Sequence, residues 1–290
     1  MLELKNVCKN YEDFAVKNVS FTLPRGYIMG FVGPNGAGKS TTIKMIMNLV
    51  RRNSGDITIF GKDNTKAEKE IKQNIGFVYD ENHYYEELTC EQMKRIIAPL
   101  YKKWDEEKYQ SYMERLQVPK NKKIKQLSKG MKMKFAITMA LSHHAKLIIM
   151  DEPTSGLDPV VRSELLDMLQ EMVMEEEVSV LFSTHITTDL ERIADYITFI
   201  HEGEIVFTGE KDEILENHVI VKGSNDLLDS EGKELFIGLR KNKFGFEGLA
   251  RDKQAIEDWF GQEVVIEKPS LDDIVVYTAK GRGAYASARI

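Results

Sequence analysis

Residues Gly30–Thr42 read GFVGPNGAGKSTT, with four glycines around one basic side chain, Lys39. Glycine loses more freedom on ordering than any other residue. Its concentration here implies that bare backbone must touch something. The preceding residues, GYIMGFVG, read as a buried strand. The following ones, STTIKMIMNLV, place Ile43, Ile46, Met47 and Val50 at helical spacing. Strand, glycine turn and helix form the context that the pattern G-x-x-x-x-G-K-[ST] requires, and Gly33 to Ser40 satisfy it. The backbone N–H groups of Gly36, Ala37, Gly38 and Lys39 would cradle phosphate oxygens. Gly33, Pro34 and Asn35 complete the loop, Thr41 continues it, and the helix N-terminus adds positive potential. Lys39 would reach the β and γ phosphates of ATP, and Ser40 would give its hydroxyl to Mg²⁺.

A second stretch, KLIIMDEPTSGLDP, runs from Lys146 to Pro159. Its apolar start predicts a short strand that ends in two acids, the place where a doubly wound sheet keeps its ligand chemistry. Asp151 would hold Mg²⁺, directly or through water. Glu152 would be the base that orients the attacking water. SVLFSTHI predicts a third strand, ending at His185, which would bring the imidazole to the same edge as a γ-phosphate contact. Asp158, followed by Pro159, reads as a helix N-cap.

The totals set limits. The chain has 290 residues, 42% hydrophobic and 30% charged, with net charge −6. That describes an ordinary globular protein and argues against a general nucleic-acid binder. Two cysteines, Cys8 and Cys90, are too few for a disulfide scaffold. No apolar run approaches the roughly 20 residues that cross a bilayer, so membrane work would need a separate partner.

With these residues in hand, the chain resembles the ATP-binding subunit of ABC transporters. The deciding stretch is LSKGMKMK, in which Leu127, Ser128 and Gly130 match the family's LSGGQ signature, while Lys129 and Met131 depart from it. The order supports the resemblance: phosphate loop at Lys39, signature at Ser128, MDEPTSGLDP from Met150, STHI at His185. The match covers about residues 1 to 215. It implies a P-loop α/β ATPase core with an antiparallel β subdomain and an inserted helical subdomain. It also implies that Tyr11 stacks on adenine with Val16 beside it. Two subunits, a homodimer or a pair with a related subunit, would sandwich ATP. Ser128 and Gly130 of one would meet the γ-phosphate held by Lys39 of the other. Closure would drive a separate transmembrane permease, and the chain would sit in the cytoplasm on the inner face of the membrane, touching it only through that partner. The family has glutamine where this chain has Asp80. The aspartate would either ligate Mg²⁺ more strongly or repel the γ-phosphate when the metal is absent, and its bland reading is a solvated loop residue. Two placements are open for Lys129, facing ATP or facing its own core. Within the family the chain looks similar to subunits that export peptides, lantibiotics or toxins, amphipathic-peptide exporters such as the phenol-soluble modulin system among them. The alternative is a soluble ABC ATPase acting on ribosomes or nucleic acid.

Along the chain, residues 1 to about 30 read as short antiparallel strands with SFTLPRG as a turn, and SGDITIFGKD as an edge strand. The core is expected over residues 1–217, with the helical subdomain at about 81–145. There Thr89 and Gln92 form a capping box. Met93, Ile96, Ile97 and Leu100 are expected on one face, and Tyr109, Tyr112, Met113 and Leu116 on another stripe. ENHYYEELT would border a groove for the membrane partner, with Tyr84 and Tyr85 as contacts. The basic run PKNKKIKQ reads as a solvated loop, with attraction to acidic lipid heads as the lesser reading. A small α+β domain is expected over residues 218–280, ending in a short helix, with 281–290 as a flexible tail.

Overall fold

The computed structural model describes residues 1–80, 84–176 and 178–287. The chain divides into two compact units, Met1–Thr208 and Gly209–Ile290. The division falls ahead of the expected 217/218 boundary, within residues 204–210, and leaves residues 211–217 with the second unit.

Unit 1 opens with strands β1 (Leu2–Asn10), β2 (Ala15–Leu23) and β3 (Ile28–Val32). Helix α1 (Lys39–Ile46) follows, then β4 (Ser54–Ile59), β5 (Lys62–Asp63), α2 (Glu68–Lys72) and β6 (Ile75–Val78). β1, β2, β4 and β5 make an antiparallel sheet in the order β2-β1-β4-β5. Two expectations are corrected here. SFTL lies inside β2, and the turn is confined to the residues after Leu23. SGDITI is not an edge, since β4 pairs with β1 on one side and β5 on the other. β3 also leaves the antiparallel set for the second sheet, since all five of its residues are buried. That pattern belongs to a strand covered on both faces.

Three helices are inserted next: α3 (Cys90–Ile97), α4 (Glu106–Arg115) and α5 (Lys129–Leu141). The capping box at Thr89 and Gln92 is present in full. These helices close their own core around Tyr109, Met113, Phe135 and Met139. The stripe predicted for α3 is corrected. Ile96 and Leu100 are exposed, while Cys90, Met93 and Lys94 are buried. Lys94 is able to go inside because Glu91 and Glu106 take its charge at 2.9 and 2.8 Å. On α4, Tyr109, Tyr112 and Met113 are buried as expected.

The chain then returns through β7 (Leu147–Asp151), α6 (Pro159–Glu176), β8 (Ser179–Thr184), α7 (Thr187–Ile193), β9 (Tyr196–His201) and β10 (Glu204–Glu210). The main sheet has the order β10-β9-β3-β8-β7-β6, with β9, β3, β8, β7 and β6 mutually parallel. Every residue of β7 and β8 is buried. Among the described residues, no helix is long and apolar enough to cross a membrane.

Unit 2 holds α8 (Lys211–Glu216), β11 (Val219–Gly223), β12 (Phe236–Asn242), β13 (Gly245–Ala250), α9 (Lys253–Phe260), β14 (Val265–Glu267) and α10 (Leu271–Ser287). Its antiparallel sheet runs β12-β13-β11-β14 over a core of Val221, Phe236, Phe246, Ile256 and Phe260. α10 is longer than expected and takes in residues 281–287 of the predicted tail. A Cβ at Gly281 would stand 2.0 Å from the Ile237 carbonyl oxygen. The glycine therefore lets the helix lie directly on the backbone of β12.

Candidate active site

The register of the main sheet decides where the motifs meet. Val32 pairs with Thr184, and Asp151 pairs with Ser183. The next residues along these strands, Gly33, His185 and Glu152, therefore leave the sheet side by side. Neighbouring strands lie about 4.8 Å apart, so three distant segments share one edge.

At that edge Lys39 and Glu152 form a buried ion pair, Nζ to Oε1 3.1 Å, with side-chain exposures of 6% and 12%. The ammonium also donates to the carbonyl oxygens of Gly33 at 2.6 Å and Pro34 at 3.3 Å. His185 Nδ1 stands 2.8 Å from Glu152 Oε2, and the His185 backbone N–H donates to the same oxygen at 3.3 Å. The residues assigned to catalysis from sequence, Lys39, Glu152 and His185, thus form one chain of contacts. Glu152 also holds a left-handed backbone, φ 50°. A non-glycine residue there costs on the order of 1–3 kcal/mol and persists only where its surroundings fix it. Here the Glu152 N–H donates to Ser183 O at 2.9 Å.

The loop before α1 is shaped by its glycines. A Cβ on Gly33 would stand 2.3 Å from the Ile200 carbonyl oxygen. Gly36 and Gly38 take φ of 81° and 112°, and a Cβ on Gly36 would meet nothing within 4 Å. The open side is thus at Gly36, the closed side at Gly33. Gly203, in the turn between β9 and β10, donates to Ala37 O at 3.0 Å and accepts from Lys17 N at 2.8 Å. This brace was not legible in the sequence, because it joins residues far apart along the chain. Ser40 is exposed and Thr41 half-buried.

A hollow of about 490 Å³ adjoins the loop and is lined by Phe14, Lys17, Pro34, Asn35, Gly36 and His201, among others. Tyr11 is 48% exposed in the β1–β2 turn, with the Lys9 ammonium 5.2 Å from its ring centroid. The ring is open to a stacking partner. Val16 is fully buried and packs behind Gly38, where a Cβ would lie 3.3 Å from Val16 Cγ2. Its assignment to the ligand is therefore corrected to packing. Phe14, which the sequence reading passed over, is the aromatic that lines the hollow.

The donors suit a nucleotide with Mg²⁺. Asp151 Oδ1, Glu152 Oε1 and Ser183 Oγ are buried and lack hydrogen-bond partners within the protein. Glu152 Oε1 is close to Lys39 yet makes no directed hydrogen bond, so an acceptor position stays open. Among the described residues, no group of three or more His, Cys, Asp or Glu comes together as a metal cage. Few hard oxygens beside a phosphate loop fit Mg²⁺, which keeps water and phosphate ligands. Ser40 and Asp151 would hold it. Asp80 leaves β6 two residues past Val78, which pairs with Met150, so it emerges on the same side of the sheet as Glu152. It also lines a groove of about 720 Å³ with Tyr79, Tyr84, Lys129 and Lys132.

In the signature segment, Ser128 caps α5 by accepting from Met131 N at 3.2 Å. Gly130 is buried against Val161 of α6, where a Cβ would stand 2.8 Å from Cγ1. Lys129 lies across the loop that follows Glu152. Its Nζ would be 3.0 Å from a Cβ on Gly156, which has φ 65°. Within this chain the ammonium therefore rests on the neighbouring loop and not in the core. That loop is anchored by buried Asp189, which accepts from Thr154 Oγ1 at 2.7 Å and pairs with Arg162. Asp158 caps α6 as expected, accepting from Val160 N and Val161 N at 3.1 Å each. Tyr84 packs edge-on to Phe135 inside the helical subdomain and lines the groove, while Tyr85 is 68% exposed. Glu81, Asn82 and His83 of the stretch read as bordering this groove lie outside the described residues.

A phosphate loop, a strand-end Asp-Glu pair and a strand-end histidine on one parallel sheet define a P-loop ATPase. Similarity to known proteins gives the family. The model for "ABC transporter" matches residues 16–155. The chain is 31% identical over 227 residues to the ABC transporter ATP-binding protein YtrB of Bacillus subtilis (strain 168), covering 78% of this chain and 77% of that one. It is 31% identical over 229 residues to the lantibiotic transport ATP-binding protein SrtF of Streptococcus pyogenes, covering 76% and 98%. The solved structure of an ATP-binding subunit of an ABC transporter superposes with TM-score 0.68 at 32% identity, covering 74% of this chain and 92% of that one. The chain belongs to the ATP-binding subunits of ABC transporters.

Proposed function

We propose that this subunit hydrolyses ATP with Mg²⁺ to drive an exporter of peptides, toxins or antimicrobial compounds. It does so by dimerising around ATP and moving a separate transmembrane permease at the inner face of the membrane. The observation that carries the catalytic part is the continuous contact Lys39–Glu152–His185. The lantibiotic transport function named for SrtF supports the substrate class.

In this reading Lys39 leaves the Gly33 and Pro34 carbonyls and takes the β and γ phosphates, with the amides of Gly36 to Lys39 around them. Tyr11 stacks on the base. Glu152, freed of the lysine, accepts the proton of the attacking water as its oxygen bonds to the γ-phosphorus and the bond to the β-phosphate oxygen breaks. His185 holds the Glu152 carboxylate and contacts the γ-phosphate. When bound at Ser40 and Asp151, Mg²⁺ supplies charge neutralisation across the phosphates; Asp80 adds a further oxygen at that side. Ser128 and Gly130 serve the nucleotide of the second subunit, with the capped α5 N-terminus pointing at its phosphate.

The test is a detergent pull-down of the Glu152→Gln chain with ATP. A dimer that retains ATP and carries a hydrophobic membrane protein supports the proposal. A monomer, or copurified ribosomes or nucleic acid in place of a membrane protein, contradicts it.

A further inference from the structure

We propose a second anion site, remote from the nucleotide loop, for a multiply phosphorylated ligand. It is a hollow of about 850 Å³ lined by Lys62, Lys69, Lys72, Lys102, Lys103 and Lys146. Its place in the fold separates it from the catalytic edge. Lys146 and Asn74 immediately precede β7 and β6, and the Lys146 N–H donates to Asn74 O at 2.9 Å. The hollow therefore opens at the amino ends of β6 and β7, the strands whose carboxyl ends lead to Asp80 and to Asp151 and Glu152 respectively. A five-residue strand puts about 17 Å between the two.

The charge is only partly neutralised, and Glu70 is the one acid among the described lining residues. Lys62 pairs with Glu70 and Lys72 with Glu68. Lys69, Lys102, Lys103 and Lys146 are exposed and make no ion pair among the described residues. Four free ammonium groups thus converge on one hollow, in a chain whose net charge is −6.

The basic run from Pro119 behaves differently. Lys123 and Lys125 both pair with Glu87, at 3.2 and 2.7 Å, and Lys120 reaches Glu114 at 3.8 Å. In the run that stands out in the sequence, three of the four lysines thus meet a carboxylate in the structure. The lysines scattered over three segments are the ones gathered and left without counter-charge. Crowding like charges is unfavourable unless an anion lies among them.

The walls are also fixed. Gln73 clamps the segment after α3 to α2, donating to Leu100 O at 2.8 Å and accepting from Lys102 N at 2.8 Å. Phe60 holds a left-handed backbone, φ 55°, and with Ile71 gives the hollow an apolar floor. Compact phosphate oxygens among ammonium groups, above such a floor, are the chemistry this arrangement recognises. Either a soluble polyphosphate or an anionic lipid headgroup supplies it.

The experiment compares the full chain with a triple variant, Lys69→Gln, Lys102→Gln and Lys103→Gln. Inorganic tripolyphosphate is titrated calorimetrically. In parallel, co-sedimentation is measured with phosphatidylcholine vesicles containing about one-third phosphatidylglycerol. The full chain should bind one equivalent of tripolyphosphate beyond that taken by the nucleotide loop, or bind the anionic vesicles. The triple variant should weaken that binding about tenfold, with thermal stability and ATP hydrolysis unchanged. Tripolyphosphate binding lost in the variant identifies a soluble anion; vesicle binding alone identifies a headgroup. Equal binding by both chains, or no binding beyond the nucleotide loop in either arm, overturns the proposal.

Discussion

The phosphate loop and the signature segment are both short, glycine-bearing turns leading into a helix, yet the protein treats them differently. Lys39 of the first is buried, and its charge is taken up by two carbonyls and by Glu152. Ser128 and Lys129 of the second are exposed, while Gly130 is pressed against Val161. The first turn is finished within the chain. The second is held from behind and keeps its polar groups at the surface, as expected of a half-site completed by a second copy. Substitutions in the first should therefore disturb folding and chemistry together, whereas substitutions at the surface of the second that keep the Ser128 cap should change chemistry with little effect on folding.

The largest expected effect is at the shared carboxylate. Glu152→Gln should lower the rate of phosphate release by about 10²–10⁴-fold, the range for loss of a general base, while ATP stays bound; a rate within a few-fold of the parent would remove Glu152 from the chemistry. Next is Gly33→Ala. Its methyl group would meet the Ile200 carbonyl oxygen at 2.3 Å, and the displacement should cost about 1–3 kcal/mol, read as a lowered denaturant midpoint together with weaker ATP binding. An unchanged midpoint would show that the loop is not pinned at that point.

Ser128→Ala removes a helix cap and should cost about 1 kcal/mol. Ser128→Asp keeps the cap but adds a charge facing phosphate, so it should preserve stability and still lose ATPase activity. Equal activity in the aspartate variant would reduce Ser128 to a capping residue.

A smaller effect is predicted with pH. Burial holds the His143 imidazole below its ordinary value of 6.5, and His218 of the second unit behaves likewise. The unfolded chain therefore takes up the proton first, and stability should fall as pH drops below 6.5. Thermal melts of His143→Gln should show a shallower acid-side fall; a slope as steep as the parent's would exclude His143 as a source. The smallest effect belongs to Lys129→Gly, which should leave stability within about 0.5 kcal/mol as an exposed substitution. A larger loss in chemical denaturation would show that the contact with Gly156 braces the loop.

The same contrast explains how much could be read in advance. Features carried by neighbouring residues were legible: the Gly33–Ser40 pattern, the Thr89–Gln92 box and the Asp158 cap. The convergence of Lys39, Glu152 and His185 was inferable because Glu152 and His185 directly follow strands of one parallel sheet and Lys39 opens the helix after the loop that leaves a third. Features set by distant partners were not. Lys94 displaced Ile96 from the buried face of α3 because Glu106 lies within reach of its ammonium. Residues 281–287 joined α10 because Gly281 fits onto Ile237. The Gly203 brace and the Asp189 anchor join segments that no local pattern connects.

The most direct test of the account is a crystal structure of the full chain with Mg²⁺ and a non-hydrolysable ATP analogue. The γ-phosphate should lie against Lys39 and His185, with the ammonium withdrawn from the Gly33 carbonyl and Glu152 turned toward a water. A nucleotide bound elsewhere, with the 3.1 Å Lys39–Glu152 pair intact, would contradict it.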